Sequence, residues 1–337
     1  MTAPNEFELI DRFFRRGARN AENAGRGESA RGTIVGIGDD AALLAPTPGH
    51  QLAASVDMLV AGRHFFADVN PEALGHKTLA VNLSDMAAMG ATPRWALLAG
   101  ALPDANPQWL GAFARGLFAL AAVHNVDLVG GDTTRGPLNL CLTILGEVPA
   151  GKALLRSGAR AEDSIWVSGA LGDASLFLAY RAGRLALSGD EVATCENALL
   201  RPVPRVALGI RLRGLASAAI DVSDGLVGDL GHILETSKVG ATIELPAIPR
   251  SKALDRQLAK AETHDVALEC LLAGGDDYEL CFTAAPAHDG QIAAVAAELA
   301  LPLSRIGIIG GAPGLIVRDS SGRSVAQLPR AYDHFAT

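Results

Sequence analysis

The 337-residue sequence contains no run apolar enough to cross a bilayer. Its longest hydrophobic stretches meet Gly, Pro or a charge well before the ~20 residues that a spanning helix needs. No leader is read either, because Met1-Thr-Ala-Pro-Asn-Glu-Phe-Glu is acidic and lacks a basic segment followed by an apolar one. A soluble, cytoplasmic protein is therefore expected. Basic charge is scarce, with 29 Lys+Arg against 37 Asp+Glu and a net charge of −8. That balance argues against nucleic acid, which needs a concentrated basic face. Phosphate ligands stay open, since a bound cation can invert the local sign. The four cysteines, Cys141, Cys195, Cys270 and Cys281, show no C-x-x-C spacing and read as buried free thiols rather than disulfide or zinc ligands. The eight His are scattered, with no H-E-x-x-H, no G-x-S-x-G elbow and no EF-hand loop. One near-match to a P-loop, Gly146-Glu-Val-Pro-Ala-Gly151-Lys152, fails twice. Ala153 stands where a hydroxyl should meet Mg²⁺, and Pro149 removes a donor from the cradle.

What the chain has instead is aspartate, repeated in short Gly- or Ser-flanked clusters. These are Gly36-Ile-Gly-Asp-Asp40, Ser55-Val-Asp57, Leu83-Ser-Asp85, Gly130-Gly-Asp132-Thr-Thr, Asp221-Val-Ser-Asp-Gly225 and Gly274-Gly-Asp-Asp-Tyr-Glu279. Aspartate beside glycine usually marks a turn. Repeated at strand ends through an enzyme-sized chain, it can instead build a pocket of hard oxygen ligands suited to Mg²⁺ and the phosphates Mg²⁺ carries.

The length fits two domains. Periodicity predicts a short helix over 6–16, strands over 34–37, 41–45 and 51–59, and a helix from Pro71 to about Met89. A strand over 94–102, a helix over 107–124, and strands over 126–129 and 138–148 follow. Pro149-Ala-Gly151 is the expected boundary, giving domains 1–149 and 150–337. The second half predicts a strand over 164–168 and helices near 173–183, 190–200 and 204–213. A strand over 216–220 then leads to a helix ending near Lys238, with further strands near 241–245, 279–284, 303–309 and 314–318. Several neighbouring strands lack a crossover helix, so the class expected is α/β with mixed sheets in two domains. A site between two such halves would be usual for an enzyme.

Each motif has an ordinary alternative. Gly36–Asp40 alone reads more readily as a hairpin turn, although a turn needs only one of its two repelling carboxylates. Asp57 interrupts an apolar strand, and if buried it must be paired, hydrogen-bonded or metal-bound. His64 reads equally as a packed loop residue or a phosphate contact. Asn82 and Asp85 share one face of an apolar helix, which favours a site over a solvent stripe. Gly130-Gly-Asp132 after a strand would let backbone approach a phosphate, with Arg135 near its oxygens. Ser223 or Asp224 could simply cap the following helix, but one cap does not account for both Asp221 and Asp224.

The ordered series GIGDDAA, SVDMLVAGRHF, KTLAVNLSDMAAMGA, GGDTTRGP, LLRSGAR, AIDVSDGLVGDLGHI, AGGDDYELCF and YDHF, spanning residues 6–337, closely resembles the bacterial thiamine-monophosphate kinase family. Its superfamily, that of aminoimidazole ribonucleotide synthetase, binds ATP without a P-loop. The resemblance implies ATP-dependent conversion of thiamine monophosphate to thiamine diphosphate by direct in-line transfer, with several Mg²⁺ ions. It implies Asp40, Ser55, the Val56 carbonyl, Asp57, Asp85, Asp132, Asp221 and Asp224 as metal ligands, with Asp57, Asp85, Asp132 and Asp221 central to catalysis. Val56 replaces a hydroxyl residue of relatives, so only its carbonyl is offered. Gly131, Asp132, Arg156 and Ser223 are implied at ATP, and His64, Asp276 and Tyr332 at thiamine monophosphate. Asp276 stands where relatives carry Glu. The resemblance further implies that 1–149 is the ATP- and Mg²⁺-binding domain and joins a second copy sheet to sheet in a homodimer, with 150–337 as the C-terminal α/β domain.

Overall fold

A computed structural model of the chain describes Glu8, Ile10–Arg15 and residues 32–329. The chain divides into two compact units: Met1–Met86 with Ala91–Gly151, and Ala87–Gly90 with Lys152–Thr337. Each unit holds one mixed sheet, the class the sequence predicts.

In the first unit a small antiparallel pair, β1 (Thr33–Val35) and β2 (Leu43–Leu44), flanks the Gly36–Asp40 turn. The main sheet comprises β3 (His50–Val60), β4 (Thr92–Leu102), β5 (Asp127–Arg135) and β6 (Asn139–Pro149), in the order β3-β6-β4-β5. Only β4 and β5 are parallel. Helices α1 (Pro71–Ala88) and α2 (Pro107–His124) supply apolar faces. The bounds of α2 follow from chemistry written at its ends. Asn106 accepts from the Gln108 and Trp109 amides, Pro107 opens the helix, and Asn125 ends it in a left-handed conformation. Leu83, Met86, Phe113, Trp95, Leu142 and Ile144 are all but fully buried, each contributing about 1.5–3 kcal/mol from burial. The other face of β3 is open, with Leu52, Val56 and Met58 more than half exposed.

β5 departs from the expected strand 126–129. Instead of turning at Gly130-Gly131, it runs on to Arg135 beside β4, pairing Ala99 with Asp132 and Leu102 with Arg135. Gly131 makes this possible. Its φ is +148°, and a Cβ there would strike the Leu98 carbonyl. The stretch with P-loop spacing occupies β6 and the turn after it, and no helix follows before residue 173. Of the predicted first helix, Glu8 and the helical stretch Ile10–Arg15 fall among the described residues.

The second unit is built on a six-stranded sheet of β7 (Ser164–Ser168), β8 (Ala216–Val222), β9 (Gly240–Glu244), β10 (Glu279–Ala284), β11 (Leu303–Gly310) and β12 (Gly314–Arg318). Their order is β12-β9-β11-β7-β10-β8, with only β12 and β9 parallel. Around it run α3 (Asp173–Arg181), α4 (Gly189–Leu200), α5 (Val206–Leu212), α6 (Leu226–Ser237), α7 (Lys252–Leu258), α8 (His264–Ala273) and α9 (Asp289–Leu299). Every residue of β10 is buried, as an interior strand between two neighbours should be. β8 runs two residues past the expected 216–220, so Asp221 belongs to the sheet, opposite Leu280. All four cysteines are free, three of them buried. No helix among the described residues is long and apolar enough to cross a membrane.

Candidate functional site

The first unit brings its predicted residues together in two places. A cleft of about 1060 Å³ is lined by residues 38–42, 97–100 and 130–133, which places Asp40 with Gly131 and Asp132. Both aspartates are exposed. Asp39 takes the turn role, its Oδ1 accepting from the Asp40 amide at 2.9 Å.

The second place lies where β3 meets α1. The Ser55 hydroxyl donates to Asp85 Oδ2. Ser55 and Asp57 alternate onto the face that carries the buried Ile144 and Leu142 opposite them, and both are half-buried. One turn before Asp85, Asn82 is fully buried. Its amide nitrogen donates to the Thr78 carbonyl at 3.2 Å, while its Oδ1 has no hydrogen-bond partner. His64 folds back onto the end of β3, its Nδ1 accepting from the Val60 amide at 3.0 Å, which leaves the proton of a neutral ring on Nε2. Val56 points its side chain to the open face.

These two places are not one. The cross-strand row Asp57–Leu142–Leu98–Gly131 spans the whole sheet. Asp57 and Asp132 therefore sit on opposite edge strands, separated by three strand spacings, roughly 14 Å. Among the described residues, no three carboxylate, His or Cys groups are close enough to hold one metal ion.

In the second unit, two aspartate turns form one platform. Asp221 is the penultimate residue of β8, buried to 4% exposure, with Ser223 half-buried and Asp224 exposed. The capping alternative fails here. The residue before α6 is Gly225, and no side chain caps that helix. Gly225, at φ +106°, backs onto Ala273 so closely that a Cβ would overlap the backbone there. The loop after α8 is stitched to this turn, the Asp276 amide to the Ser223 carbonyl and the Tyr278 amide to the Val222 carbonyl, each at 2.8 Å. Asp276 and Tyr278 both hold positive φ, +70° and +52°, a strain of order 1–3 kcal/mol each. The Tyr278 hydroxyl donates to Asp276 Oδ1 at 3.1 Å. Arg156 is exposed, and Tyr332 lies outside the described residues.

Three acids that the sequence reading left without a role hold this platform. Asp277 turns inward, both carboxylate oxygens accepting from the Gly172 amide at 2.9 and 3.0 Å, just ahead of α3. Burial drives it well above the usual carboxylate range, and the nearby Glu279 and Asp173 push the same way. Glu279 accepts from Arg205 and, at 2.5 Å, from the Ser168 hydroxyl. Asp229, in the first turn of α6, accepts from the Ser223 and Asp224 amides. Burial pushes its carboxyl up to about 7, with the charges of Asp221 and Asp224 adding to the rise.

One mixed-sheet unit thus holds a cleft lined by Asp-bearing turns, and a second mixed-sheet unit carries Asp turns of its own. Residues 38–148 match the family described as AIR synthase related protein, N-terminal domain, and residues 160–320 match AIR synthase related protein, C-terminal domain. Among its relatives, the thiamine-monophosphate kinase of Salmonella typhimurium is 45% identical over 339 residues, covering 99% of each chain. That of Escherichia coli K12 is 44% identical over the same share. The crystal structure of the thiamine-monophosphate kinase from Stenotrophomonas maltophilia K279a superimposes with a TM-score of 0.83 at 46% identity, covering 95% of this chain and 98% of that one. AaThiL complexed with AMPPCP and TMP gives 0.75 at 27% identity, covering 98% and 97%. The chain belongs to the thiamine-monophosphate kinase family.

Proposed function

We propose that this chain transfers the γ-phosphoryl group of ATP to the phosphate of thiamine monophosphate, giving thiamine diphosphate and ADP. The observation that carries the reading is the pairing of Gly131 and Asp132 with Asp40 around one cleft, in a chain whose relatives include a structure complexed with AMPPCP and TMP. Joining two phosphates brings two polyanions together, and phosphoryl transfer runs largely on positioning and charge stabilisation. The attacking phosphate oxygen is ionised at neutral pH, so no strong general base is needed and transfer is direct and in line.

The donor set fits Mg²⁺ in kind. It consists entirely of hard oxygens, and the buried Asn82 Oδ1 is an acceptor still lacking a donor one turn from Asp85. Asp40, Ser55, the Val56 carbonyl, Asp57, Asp85, Asp132, Asp221 and Asp224 are the residues that would hold the ions. Water and phosphate oxygens would complete each shell, since Mg²⁺ keeps several waters. Bound Mg²⁺ would neutralise the phosphates and hold them in line. Gly131 offers close backbone approach to the nucleotide, with Asp132, Arg156 and Ser223. His64, Asp276 and Tyr332 are assigned to thiamine monophosphate, and Tyr278 fixes the direction of the Asp276 carboxylate.

The working form is a homodimer joined through the first unit's sheet. An open apolar face with Leu52, Val56 and Met58 more than half exposed supports this, as does the placement of Asp57 and Asp132 on opposite free edges of one sheet. Edge-to-edge joining would bring the Asp57 of one copy toward the Asp132 of another. ATP as co-substrate and four free thiols, three of them buried, fit a cytoplasmic setting.

A coupled assay of ADP release with thiamine monophosphate, thiamine and an aminoimidazole ribonucleotide precursor tests the reading. Release dependent on thiamine monophosphate and Mg²⁺ is expected. Release with another of these acceptors, or none with any, would overturn it.

A further inference from the structure

The turn bearing Asp221, Ser223 and Asp224 is held from beneath by a carboxylate to which the proposed reaction gives no part. Asp229 is 3% exposed, and its Oδ2 accepts from the Ser223 amide and from the Asp224 amide, each at 3.0 Å. Its own amide donates to the Gly225 carbonyl at 3.0 Å, anchoring the residue in the first turn of α6 while its side chain reaches upstream, out of the helix. An acid in a first helical turn is commonly read as a complement to the helix dipole. That role needs no particular partner and does not require reaching residues ahead of the helix. Here both bonds go to the two residues that precede Gly225, at a helix with no side-chain cap. Those amides would otherwise be orphan donors beside a buried strand end, an arrangement that folded proteins avoid.

We propose that Asp229 is a positioning residue that fixes the Ser223 hydroxyl and the Asp224 carboxylate in the orientation that receives Mg²⁺-bound nucleotide, an inference that rests on the kinase reading above. It touches neither substrate and acts only through the turn. Its influence should fall on the nucleotide more than on thiamine monophosphate. The neighbouring Asp276 loop shares one bond with this turn, the Asp276 amide on the Ser223 carbonyl, but keeps two others, the Tyr278 amide on the Val222 carbonyl and the Asp277 carboxylate on the Gly172 amide. Removing the Asp229 carboxylate thus loosens one half of the platform and leaves the other tied.

The test is steady-state kinetics of the full chain with each substrate varied in turn, for wild type, Asp229→Ala and Asp229→Asn. Alanine is expected to raise the KM for ATP tenfold or more while the KM for thiamine monophosphate moves less than threefold. Asparagine retains an oxygen able to accept both amides, and it should return the ATP KM to within about threefold of wild type. An ATP KM unchanged in Asp229→Ala, or equal impairment by alanine and asparagine, would overturn the proposal. If Asp229→Ala does not fold, Asp229→Ser takes its place, because a hydroxyl on one carbon is too short to span both amides. A wild-type chain with no thiamine monophosphate-dependent turnover would sink the kinase reading instead. Calorimetric Mg²⁺-ATP affinity of the same variants would then decide the role of Asp229 separately, with the same split expected.

Discussion

The two units spend their carboxylates differently. In the first unit, Asp40 and Asp132 lie exposed at a cleft, Asp57 and Asp85 are half-buried, and the acid buried deepest has a cation for company. Glu147, 2% exposed, accepts from the Thr47 amide at 2.5 Å, the Thr47 hydroxyl at 2.8 Å and Arg94 at 3.0 Å. Burial acts to raise its carboxyl, yet the Thr47 and Arg94 bonds prevail and hold it below the usual range. In the second unit, Asp229 and Asp277 are tucked beneath loops with backbone amides as partners and other acids nearby, and both are pushed up. Amides alone do not offset the loss of water around a charge when neighbouring carboxylates repel it; amides with a guanidinium do. Asp40 and Asp132 of the first unit are thus left exposed at a cleft, whereas Asp229 and Asp277 of the second hold loops.

The comparison breaks most visibly at the aspartates of the first unit. Asp57→Ala and Asp132→Ala should each lower kcat about 10²–10³-fold, the scale of losing one preorganised electrostatic contact to charge developing in a transition state. Melting should scarcely change, because Asp132 is exposed and Asp57 only half-buried on edge strands. ADP release at saturating Mg²⁺ measures this, and a variant keeping kcat within tenfold of wild type has no role in holding metal. A second, smaller effect sharpens the same contrast. Leu52→Asp combined with Met58→Asp places two charges on the open face of β3. Light scattering should then report a monomer where the wild type is a dimer, with turnover falling in parallel. A wild-type monomer, or a double variant still dimeric, would remove the sheet-joining account.

Much of this arrangement was legible in the chain, for identifiable reasons. Helix 107–124 was bounded to the residue because Asn106, Pro107 and Asn125 carry its start and stop chemistry. Strands 164–168, 279–284 and 314–318 were likewise readable as short apolar runs between turn residues. β5 was cut short because Gly130-Gly131 looks like a turn until β4 lies alongside it. The separation of Asp57 from Asp132 was hidden for a related reason: strand order is a tertiary fact, and the sheet sets the first and third of its four strands along the chain at opposite edges. Asp229 and Asp277 escaped notice because an acid in a helical turn or a Gly-Gly-Asp-Asp loop looks ordinary. Their distinction lies in which distant amide each one meets. Asp39 and Asp40, adjacent and alike in sequence, were separable only once one was seen to hold the turn.

The smallest expected effects are the most discriminating, because they should differ in sign with pH. Glu147 has a folded-state pKa below its unfolded value. Its contribution is present above the ordinary carboxylate pKa of about 4.3 and is lost as pH falls through the folded value. Glu147→Gln should therefore cost about 1.5–3 kcal/mol near pH 7, the worth of charge-assisted bonds, and progressively less toward pH 3. Asp277 runs the other way. Its folded-state pKa is raised, so the folded protein binds that proton more tightly than the unfolded chain does. The resulting stability is full below about pH 3.9 and is lost as pH rises through the raised value. Asp277→Asn keeps an acceptor for the Gly172 amide and abolishes the titration, so its melting temperature should gain on wild type steadily from pH 4 to pH 8. Melting curves in metal-free buffer across that range would read both slopes at once. If the two variants diverge from wild type in the same direction with pH, burial beside amides and burial beside a cation are equivalent here, and the contrast between the units fails.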